Sequence, residues 1–308
     1  MREARQTVKR KPDGGKLFGL FRLSRRHIQC LSTLLCNADL RGFVRGTVSR
    51  NPLKRICVPG LNCYSCPGAV VSCPLGALQN ALAGGRFPFY VAGLLLLFGV
   101  TLGRWICGFL CPFGLIQELL YKAPFPKLRK NTLTRGLALL KYVFLGVLIA
   151  GIPVLSLVYG YGIPLFCEFI CPGGTLQAGI PLALANSALR AGIGGLFYWK
   201  LAVLIAVILL AVPVFRFFCR FFCPLGAFYG LLNRYALWGI RRDEEICTRC
   251  GMCAKICKMD TRIANDRECI RCGNCVRACP ARALSTVFPG RNSRGREPPK
   301  PQGAAKRC

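Results

Sequence analysis

The decisive stretch of the chain is Cys247-Thr-Arg-Cys-Gly-Met-Cys-Ala-Lys-Ile-Cys257, which returns after eleven residues as Cys269-Ile-Arg-Cys-Gly-Asn-Cys-Val-Arg-Ala-Cys279-Pro280. Both copies have the spacing C-x2-C-x2-C-x3-C. Gly251 and Gly273 stand at the same place in the two loops, where a backbone that closely approaches a bound group often needs a positive φ. The repeated spacing predicts two similar units that fold around thiolate-bound centres.

Thiolates in this spacing are typical of paired 4Fe-4S clusters, in which the fourth cysteine of each run binds the cluster of the other run. We predict one cluster with the ligands Cys247, Cys250, Cys253 and Cys279. We predict a second cluster with the ligands Cys269, Cys272, Cys275 and Cys257. A zinc site or a disulfide framework is the alternative, but zinc sites usually show two pairs of ligands rather than two quartets.

The composition predicts a membrane protein with cationic loops. Of the 308 residues 53% are hydrophobic, the mean hydropathy is +0.41, and 43 Lys and Arg face 12 Asp and Glu. The 21 cysteines occur in C-P and C-x2-C settings, which favour metal ligation over extracellular disulfides. His27 is the single histidine and C-x-x-C-H is absent from the sequence, which excludes covalent and bis-histidine haem. We expect no nucleic-acid partner.

Three apolar stretches, 88–106, 137–160 and 196–218, have about the 20 residues that a membrane helix needs. A weaker stretch, 28–46, is either a fourth span or an interfacial helix. Basic residues follow the first and third stretches, which predicts that both termini are cytoplasmic. The expected fold is a mainly α protein with a four-helix transmembrane bundle and a C-terminal α+β double 4Fe-4S domain. We expect the chain to be a multi-pass protein of the bacterial inner membrane.

This reading divides the chain into four parts. They are a basic cytoplasmic tail (1–27), the transmembrane bundle (28–240), the double 4Fe-4S domain (241–287) and a basic disordered tail (288–308).

The phrase C-P-x-G occurs four times beside these stretches, at Cys73, Cys111, Cys171 and Cys223. Proline suits the first helical turn, so that the preceding thiolate lies at a helix N-terminus, where its negative charge is favoured. The charge pattern places Cys107, Cys111, Cys219 and Cys223 on the inner side, where they are candidate ligands of a further centre. The corresponding outer candidates are Cys66, Cys73, Cys167 and Cys171, with Cys57 and Cys63 as rivals. The alternatives are packing cysteines or, outside, a disulfide.

A few charged residues lie close to these modules. Glu118 and Glu168 are the candidate proton acceptors for quinol oxidation, although interfacial solvation is the favoured explanation for each of them. Four cations lie in or at the ends of the apolar stretches, where they have either a functional role or a snorkelling side chain: Arg104, Lys141, Lys200 and Arg216. Three cysteines have no partner spacing and are expected to be ordinary: Cys30, Cys36 and Cys308.

The sequence resembles the NapH-type membrane polyferredoxins in three features. These are the run Cys63-Tyr-Ser-Cys66-Pro67, the C-x3-C-P modules at Cys107 and Cys219, and the closing double run. This group includes the membrane part of NosR-like proteins. The resemblance covers residues 28–285 and implies four membrane helices and electron passage between the quinone pool, or a cytoplasmic donor, and a partner redox protein. The flavin-binding domain of the NosR type has no counterpart in these residues. Three C-x3-C-P modules and the 63–73 run exceed the two modules expected of a nitrate-reductase subunit.

The favoured function is therefore a membrane-bound iron–sulfur electron carrier with two clusters in the closing domain, one or two more in the preceding part, and a quinone as a candidate co-substrate. The expected protein partner is a ferredoxin, a flavodoxin or another subunit, drawn to the cationic face. Whether the chain is itself an enzyme, such as a quinol dehydrogenase subunit, is left open. The alternatives are a metal-handling or redox-sensing membrane protein, and an assembly scaffold for a redox complex.

Overall fold

The structure is a computed structural model, and it describes residues 25–128, 132–159, 162–261 and 264–287. The two basic tails predicted from the sequence lie outside the described residues, apart from 25–27. The domain boundaries at 27, 240 and 287 stay predictions.

The described chain is mostly helical. Its α-helices are α1 (Arg25–Cys36), α2 (Arg41–Arg45), α3 (Pro74–Ala83), α4 (Phe89–Thr101), α5 (Trp105–Phe109), α6 (Pro112–Leu120), α7 (Thr132–Leu137), α8 (Leu140–Gly146), α9 (Ile152–Tyr159), α10 (Pro172–Gly174), α11 (Ile180–Ala185), α12 (Ser187–Ala191), α13 (Gly195–Ala211), α14 (Phe217–Phe221), α15 (Pro224–Leu232), α16 (Met252–Ile256) and α17 (Asn274–Ala278). A 3-10 turn covers Pro52–Arg55, and π-helical segments cover Val147–Gly151, Phe166–Ile170 and Thr175–Gly179. The strands are β1 (Gly239–Arg242) and β2 (Leu284–Val287).

The prediction of a four-helix transmembrane bundle is wrong. None of the helices in the described residues is both long enough and apolar enough to cross a bilayer. The stretch 88–106 forms the 13-residue α4 and then α5, and 196–218 forms the 17-residue α13 and then α14. The stretch 137–160 contains α8, a π-helical segment and α9, and 28–46 is divided between α1 and α2.

The breaks have local causes that average hydropathy does not record. Gly103, just after α4, adopts φ +54°, and the next residue, Arg104, is fully buried. After α13 the chain passes Pro213 and reaches Arg216, a fully buried residue with φ +53°. A left-handed residue and a proline both end a helix, however apolar their neighbours are. Some apolar side chains of these stretches, such as Leu95 and Val207, then pack in a core within the fold, whereas others, such as Leu97 and Leu209, are exposed.

That core contains many of the cysteines that the sequence singled out. Its buried members include Cys57, Cys73, Cys107, Cys111, Cys171 and Cys223, together with Phe113, Phe166, Phe218 and Tyr229. The Phe113 and Phe218 rings meet edge to face with centroids 5.3 Å apart. Helix α15 packs against α4 and α8, and α1 packs against α5 and α6. The helices that follow the C-P pairs therefore converge on one buried region.

The C-terminal unit is small and internally duplicated. Strands β1 and β2 pair antiparallel, with Gly239 opposite Val287, and α16 packs against α17. Arg249 and Arg271 occupy the same place in the two cysteine loops and adopt φ +54° and +52°. The glycines two residues later have φ +73° and +76°, so both loops have the same bend.

Candidate metal centres

The four C-P-x-G cysteines share one backbone conformation. Cys73, Cys111, Cys171 and Cys223 precede a helix, with φ between −70° and −75° and ψ between 108° and 126°, and proline begins the helix in each case. At the last of them, the Cys223 thiol accepts a hydrogen bond from the Gly226 N–H at 3.4 Å. A Cβ at Gly226 would lie 3.1 Å from the Cys219 carbonyl oxygen, so glycine allows the two halves of that module to approach closely.

The structure brings together the four inner candidates, Cys107, Cys111, Cys219 and Cys223, which are all buried. Burial, and then the neighbouring thiols of Cys219 and Cys107, raise the pKa of Cys223 well above its usual value. Burial, and then Cys111 and Cys107, raise the pKa of Cys219 to about 12. Four buried thiols are costly to ionise unless a metal centre takes up the charge. We call them the inner thiol group; their ligation of a cluster stays a prediction.

Two arginines donate hydrogen bonds to backbone carbonyls of the inner thiol group. Arg104 precedes Cys107 by three residues and donates to the Cys219 carbonyl at 3.4 Å. Arg216 precedes Cys219 by three residues and donates to the Cys107 carbonyl. Each module therefore supplies the arginine that supports the other, and both arginines are fully buried. They place positive charge beside four thiols, as an anionic thiolate-bound centre requires.

Each arginine is paired with a carboxylate. Arg104 binds Glu268 at 2.6 Å, and Lys141 binds the other oxygen of the same group. Arg216 binds Glu118 at 2.7 Å, and Arg25 binds that carboxylate as well. Burial opposes ionisation of Glu118, but the two arginines outweigh it, so its pKa lies below the usual value. Glu118 is therefore a buried ion-pair partner and not an interfacial, solvated carboxylate.

A second thiol group is formed by Cys63, Cys73, Cys167 and Cys171, and it differs from the predicted outer set by one member. Burial, and then the thiols of Cys171 and Cys63, raise the pKa of Cys73 to about 12. Burial, and then Cys171, raise the pKa of Cys63 to about 12. Cys63, one of the two rivals, stands here in place of the predicted Cys66, and the choice of ligand between them stays a prediction. The Cys66 thiol lies against the N–H groups of Gly68 and Ala69 in its own turn, as the thiols of Cys73 and Cys171 do in theirs. We call this set the second thiol group.

The remaining outer cysteine and the two nearby charged residues have the following positions. Cys57 forms an isolated parallel bridge with Ser72. The Lys200 ammonium donates to the Cys167 carbonyl at 3.2 Å, which places it beside the second thiol group. Glu168 is half-buried in the π-helical segment that carries Cys167.

The two thiol groups belong to one core, and not to opposite faces of a bundle. The buried Tyr229 phenol has its pKa raised by burial and then by Cys107, Cys73, Cys111 and Cys223, which come from both groups. Its hydroxyl donates to the Pro59 carbonyl at 3.0 Å. The Phe166 ring, next to Cys167, lies 6.2 Å from the Phe218 ring, next to Cys219. Buried aromatic side chains therefore lie between the two groups.

Three glutamines of the site were missed in the sequence. Gln79, Gln117 and Gln177 each follow a C-P-x-G cysteine by six residues, in the pattern C-P-x-G-x2-Q. The Gln117 amide donates to the Cys219 thiol and the Gln79 amide donates to the Cys167 thiol, both at 3.0 Å. The fixed offset in three of the four copies is the signal that finds them. Tyr229 occupies the position in the fourth copy.

The closing double run lines a cavity. Its volume is ≈ 420 Å³, and Cys253, Cys257, Cys269, Cys272 and Cys275 line it. A Cβ built on Gly251 or Gly273 meets no atom within 4 Å, so open space lies beside both loops. Over the described residues, no three Cys, His, Asp or Glu side chains are grouped so as to hold a single metal ion. A 4Fe-4S cluster does not need such a group, because each of its four thiolate ligands binds a different iron atom. Four of the five thiols, those of Cys257, Cys269, Cys272 and Cys275, are the predicted ligands of the second cluster, and Cys253 is a predicted ligand of the first.

The second run of the C-terminal unit lies directly on the inner modules. A Cβ at Gly108 would lie 2.6 Å from the Ile270 carbonyl oxygen. Asn233 donates to the Cys269 carbonyl at 3.0 Å, and Arg271 donates to the Leu102 carbonyl at 2.9 Å. The second run is therefore held between the helices that carry the inner thiol group.

Comparison with known proteins agrees with this chemistry. Two protein-family models, each described as a 4Fe-4S binding domain, match the chain. One covers residues 84–132, 142–182 and 196–242, which contain the modules at Cys107, Cys167 and Cys219. The other covers residues 264–285, which contain the second run of the C-terminal unit.

Similar curated proteins include the methylamine utilization ferredoxin-type protein MauN of Methylorubrum extorquens, 32% identical over 61% of this chain and 60% of the relative. The ferredoxin-type protein NapH of Escherichia coli is 28% identical over 60% of this chain and 59% of the relative. The regulatory protein NosR of Stutzerimonas stutzeri is 28% identical over 51% of this chain and 20% of the relative. The chain thus spans about three fifths of MauN and NapH. No solved structure matches the chain.

Proposed function

We propose that this chain, which is a ferredoxin-type 4Fe-4S protein of the NapH/NosR-like kind, is a relay that passes electrons from the C-terminal unit to the inner thiol group. The named relatives and the 4Fe-4S family matches support an iron–sulfur electron-transfer role. When bound, the clusters supply one-electron chemistry, and the protein supplies their ligands, positions and local charge.

The observation that carries the proposal is a double attachment between the C-terminal unit and the inner modules. Glu268, next to Cys269, pairs with Arg104, which lies three residues before Cys107. Asp260, three residues after Cys257, pairs at 3.1 Å with Arg220, which follows Cys219. Arg135 also pairs with Asp260, at 2.8 Å.

The attachment fixes two predicted ligands of the second cluster against two predicted inner ligands. Buried ion pairs hold a defined arrangement, because breaking one leaves an uncompensated buried charge. A constant separation between centres is what a relay needs from its protein. Cys247, Cys250 and Cys253 of the first run are half-buried, which suits this run to exchange electrons with a partner.

The partner that best fits this surface is an acidic redox protein, such as a ferredoxin or a flavodoxin. Arg249, Lys255, Arg277 and Arg282 are exposed on the C-terminal unit. Opposite charges on two partners increase their rate of encounter, and added salt lowers that rate. The resemblance to NapH-type proteins supports a quinone as the partner at the other end of the relay.

Membrane attachment is part of the proposal. Large apolar side chains are exposed on α4 and α13, among them Phe89, Leu97, Trp199 and Leu209. Together with the excess of 43 basic over 12 acidic residues, they suit the interface of an anionic bilayer. Sedimentation with membranes at low salt, and release by detergent, is the expected behaviour. A chain that stays in the supernatant at low salt would remove this part of the proposal.

The relay is tested on the anaerobically isolated full chain. Iron and sulfide content and the EPR spectrum of the dithionite-reduced protein count the clusters. A reduced acidic ferredoxin is then mixed with the chain, and the reduction of each centre is followed by freeze-quench EPR. The centres of the C-terminal unit should be reduced before the inner centre. An inner centre that is reduced equally fast when Cys250 and Cys272 are both serine would contradict the relay.

A further inference from the structure

We propose that the second thiol group, Cys63, Cys73, Cys167 and Cys171, binds a 4Fe-4S cluster of its own, with Cys63 and not Cys66 as the fourth ligand. The inference rests on the proposed function only in taking the chain to be an iron–sulfur protein. It adds a further centre to the core that holds the inner thiol group.

The argument begins with the inner group, where two C-x3-C-P modules are paired. The Gln117 amide of one module donates to the Cys219 thiol of the other at 3.0 Å. Its oxygen accepts the Phe218 N–H at 2.9 Å. The glutamine that follows a C-P-x-G turn thus identifies the first cysteine of the partner module.

The same relation holds between Gln79 and Cys167 in the second thiol group, where the Gln79 oxygen also accepts the Cys167 N–H at 3.3 Å, and this last bond recurs in the opposite direction. The Gln79 amide donates to the Cys167 thiol at 3.0 Å, and its oxygen accepts the Phe166 N–H at 3.0 Å. In return, the Gln177 oxygen accepts the Cys63 N–H at 2.7 Å. By this reciprocity Cys63 occupies the position of Cys167, as the first cysteine of its module.

The glycines of the two C-P-x-G turns give an independent indication of the same pairing. A Cβ at Gly76 would lie 3.9 Å from the Cys167 sulfur. A Cβ at Gly174 would lie 3.9 Å from the Cys63 sulfur. Each turn therefore faces the first cysteine of the other module. Cys73 and Cys171, which precede these turns, complete a set of four thiols from two facing modules.

Charge around the group suits an anionic centre. The Lys200 ammonium lies 4.0 Å from the position of a Cβ at Gly174, and it also binds the Cys167 carbonyl. A cation thus accompanies the second thiol group, as arginines accompany the inner one. The contacts with Gln177 and Gly174, and not charge, favour Cys63. Cys66 has a cation of its own, because the Lys54 ammonium donates to the Cys66 carbonyl at 3.4 Å. It starts its own turn, in which the Ala69 N–H donates to the Cys66 carbonyl at 3.2 Å.

The test compares Cys63→Ser with the matched variant Cys66→Ser in the full, anaerobically isolated chain. Cys63→Ser should lose about four irons and four sulfides per chain, or show a changed EPR signal for one centre only. Cys66→Ser should keep the wild-type content and spectrum. A loss in Cys66→Ser with none in Cys63→Ser would overturn the ligand assignment, and no loss in either would overturn the cluster.

Because serine sometimes replaces a thiolate ligand, the double variant Cys73→Ala with Cys171→Ala is measured as well. It should lose the same iron and keep the EPR signals of the C-terminal unit, which also report that the chain is folded. Unchanged iron in this double variant overturns the additional cluster but leaves the relay through the C-terminal unit intact. Loss of the relay in an otherwise fully loaded protein would be a failure of the proposed function instead.

Discussion

Arg104 donates at once to the Glu268 carboxylate, at 2.6 Å, and to the Cys219 carbonyl, at 3.4 Å. One guanidinium thereby joins the C-terminal unit to the inner thiol group. Lys141 shares the same carboxylate, so two buried cations depend on one anion. This contact leads to the first of four predictions.

Replacing Glu268 with Gln should destabilise the chain by about 3–5 kcal/mol, because it leaves Arg104 and Lys141 buried without their counter-charge. Chemical unfolding followed by circular dichroism measures the change. The matched control is Glu244→Gln, which breaks the exposed Arg242–Glu244 pair at 3.1 Å and should cost at most about 1 kcal/mol. Equal losses in the two variants would remove the special role of the Arg104–Glu268 contact.

The Arg216–Glu118–Arg25 cluster should make stability depend on acid pH. The pKa of Glu118 is lower in the folded chain than its usual value of 4.5. The contribution of the ionised Glu118 to the free energy of unfolding is therefore complete above pH 4.5. It is lost as the pH falls through the lower pKa that Glu118 has in the folded chain. The difference in unfolding free energy between wild type and Glu118→Gln should shrink below pH 4.5. A difference that stays constant from pH 7 to pH 3.5 would contradict this assignment.

Replacing Gln117 with Leu should make the reduction potential of the inner centre more negative. Hydrogen bonds to cluster sulfurs favour the more negatively charged, reduced state, and Gln117 donates such a bond to Cys219. An EPR-monitored redox titration measures the shift. Gln79→Leu is the crossed control, since it should shift the centre at Cys167 and leave the inner centre unchanged. Shifts of both centres in both variants would indicate a general change of packing.

The double variant Cys111→Ser with Cys223→Ser should lose one 4Fe-4S cluster, that is about four iron atoms per chain. It should keep the EPR signals of both clusters in the C-terminal unit. It should also stop electron exchange with quinone analogues. Cys30→Ser is the control, because Cys30 is exposed and lies outside both thiol groups. Full iron content with intact quinone reactivity in the double variant would leave these cysteines as packing residues.

Spacing along the chain predicted which cysteines meet in the inner group, because a metal centre needs its ligands at the ends of the same turns. The grouping of Cys107 with Cys219 and of Cys73 with Cys167 follows from the repeated C-P-x-G phrase. The choice between Cys63 and Cys66 does not follow from spacing, since the two belong to one C-x2-C. It depends on a hydrogen bond from Cys63 to Gln177, which lies 114 residues away.

The transmembrane prediction failed for a different reason. Hydropathy measures how apolar a stretch is, but it does not record where a left-handed residue or a proline ends a helix. Arg104 and Arg216 interrupt the helices at the places where they enter this core. A buried charge in an apolar stretch does not by itself give the end of a helix, since Arg104 and Arg216 lie beyond the ends of α4 and α13 whereas Lys141 lies within α8.

The pairing of alternate modules, first with third and second with fourth, also sets the order in which the protein can mature. Synthesis runs from the N-terminus, and proteins begin to fold as they emerge. The second thiol group gains its last member at Cys171, the inner group at Cys223, and the double run at Cys279. Because the two groups are interleaved, a gene divided between the third and fourth modules would separate the inner set but not the second one. A gene divided at the midpoint of the repeat would separate both.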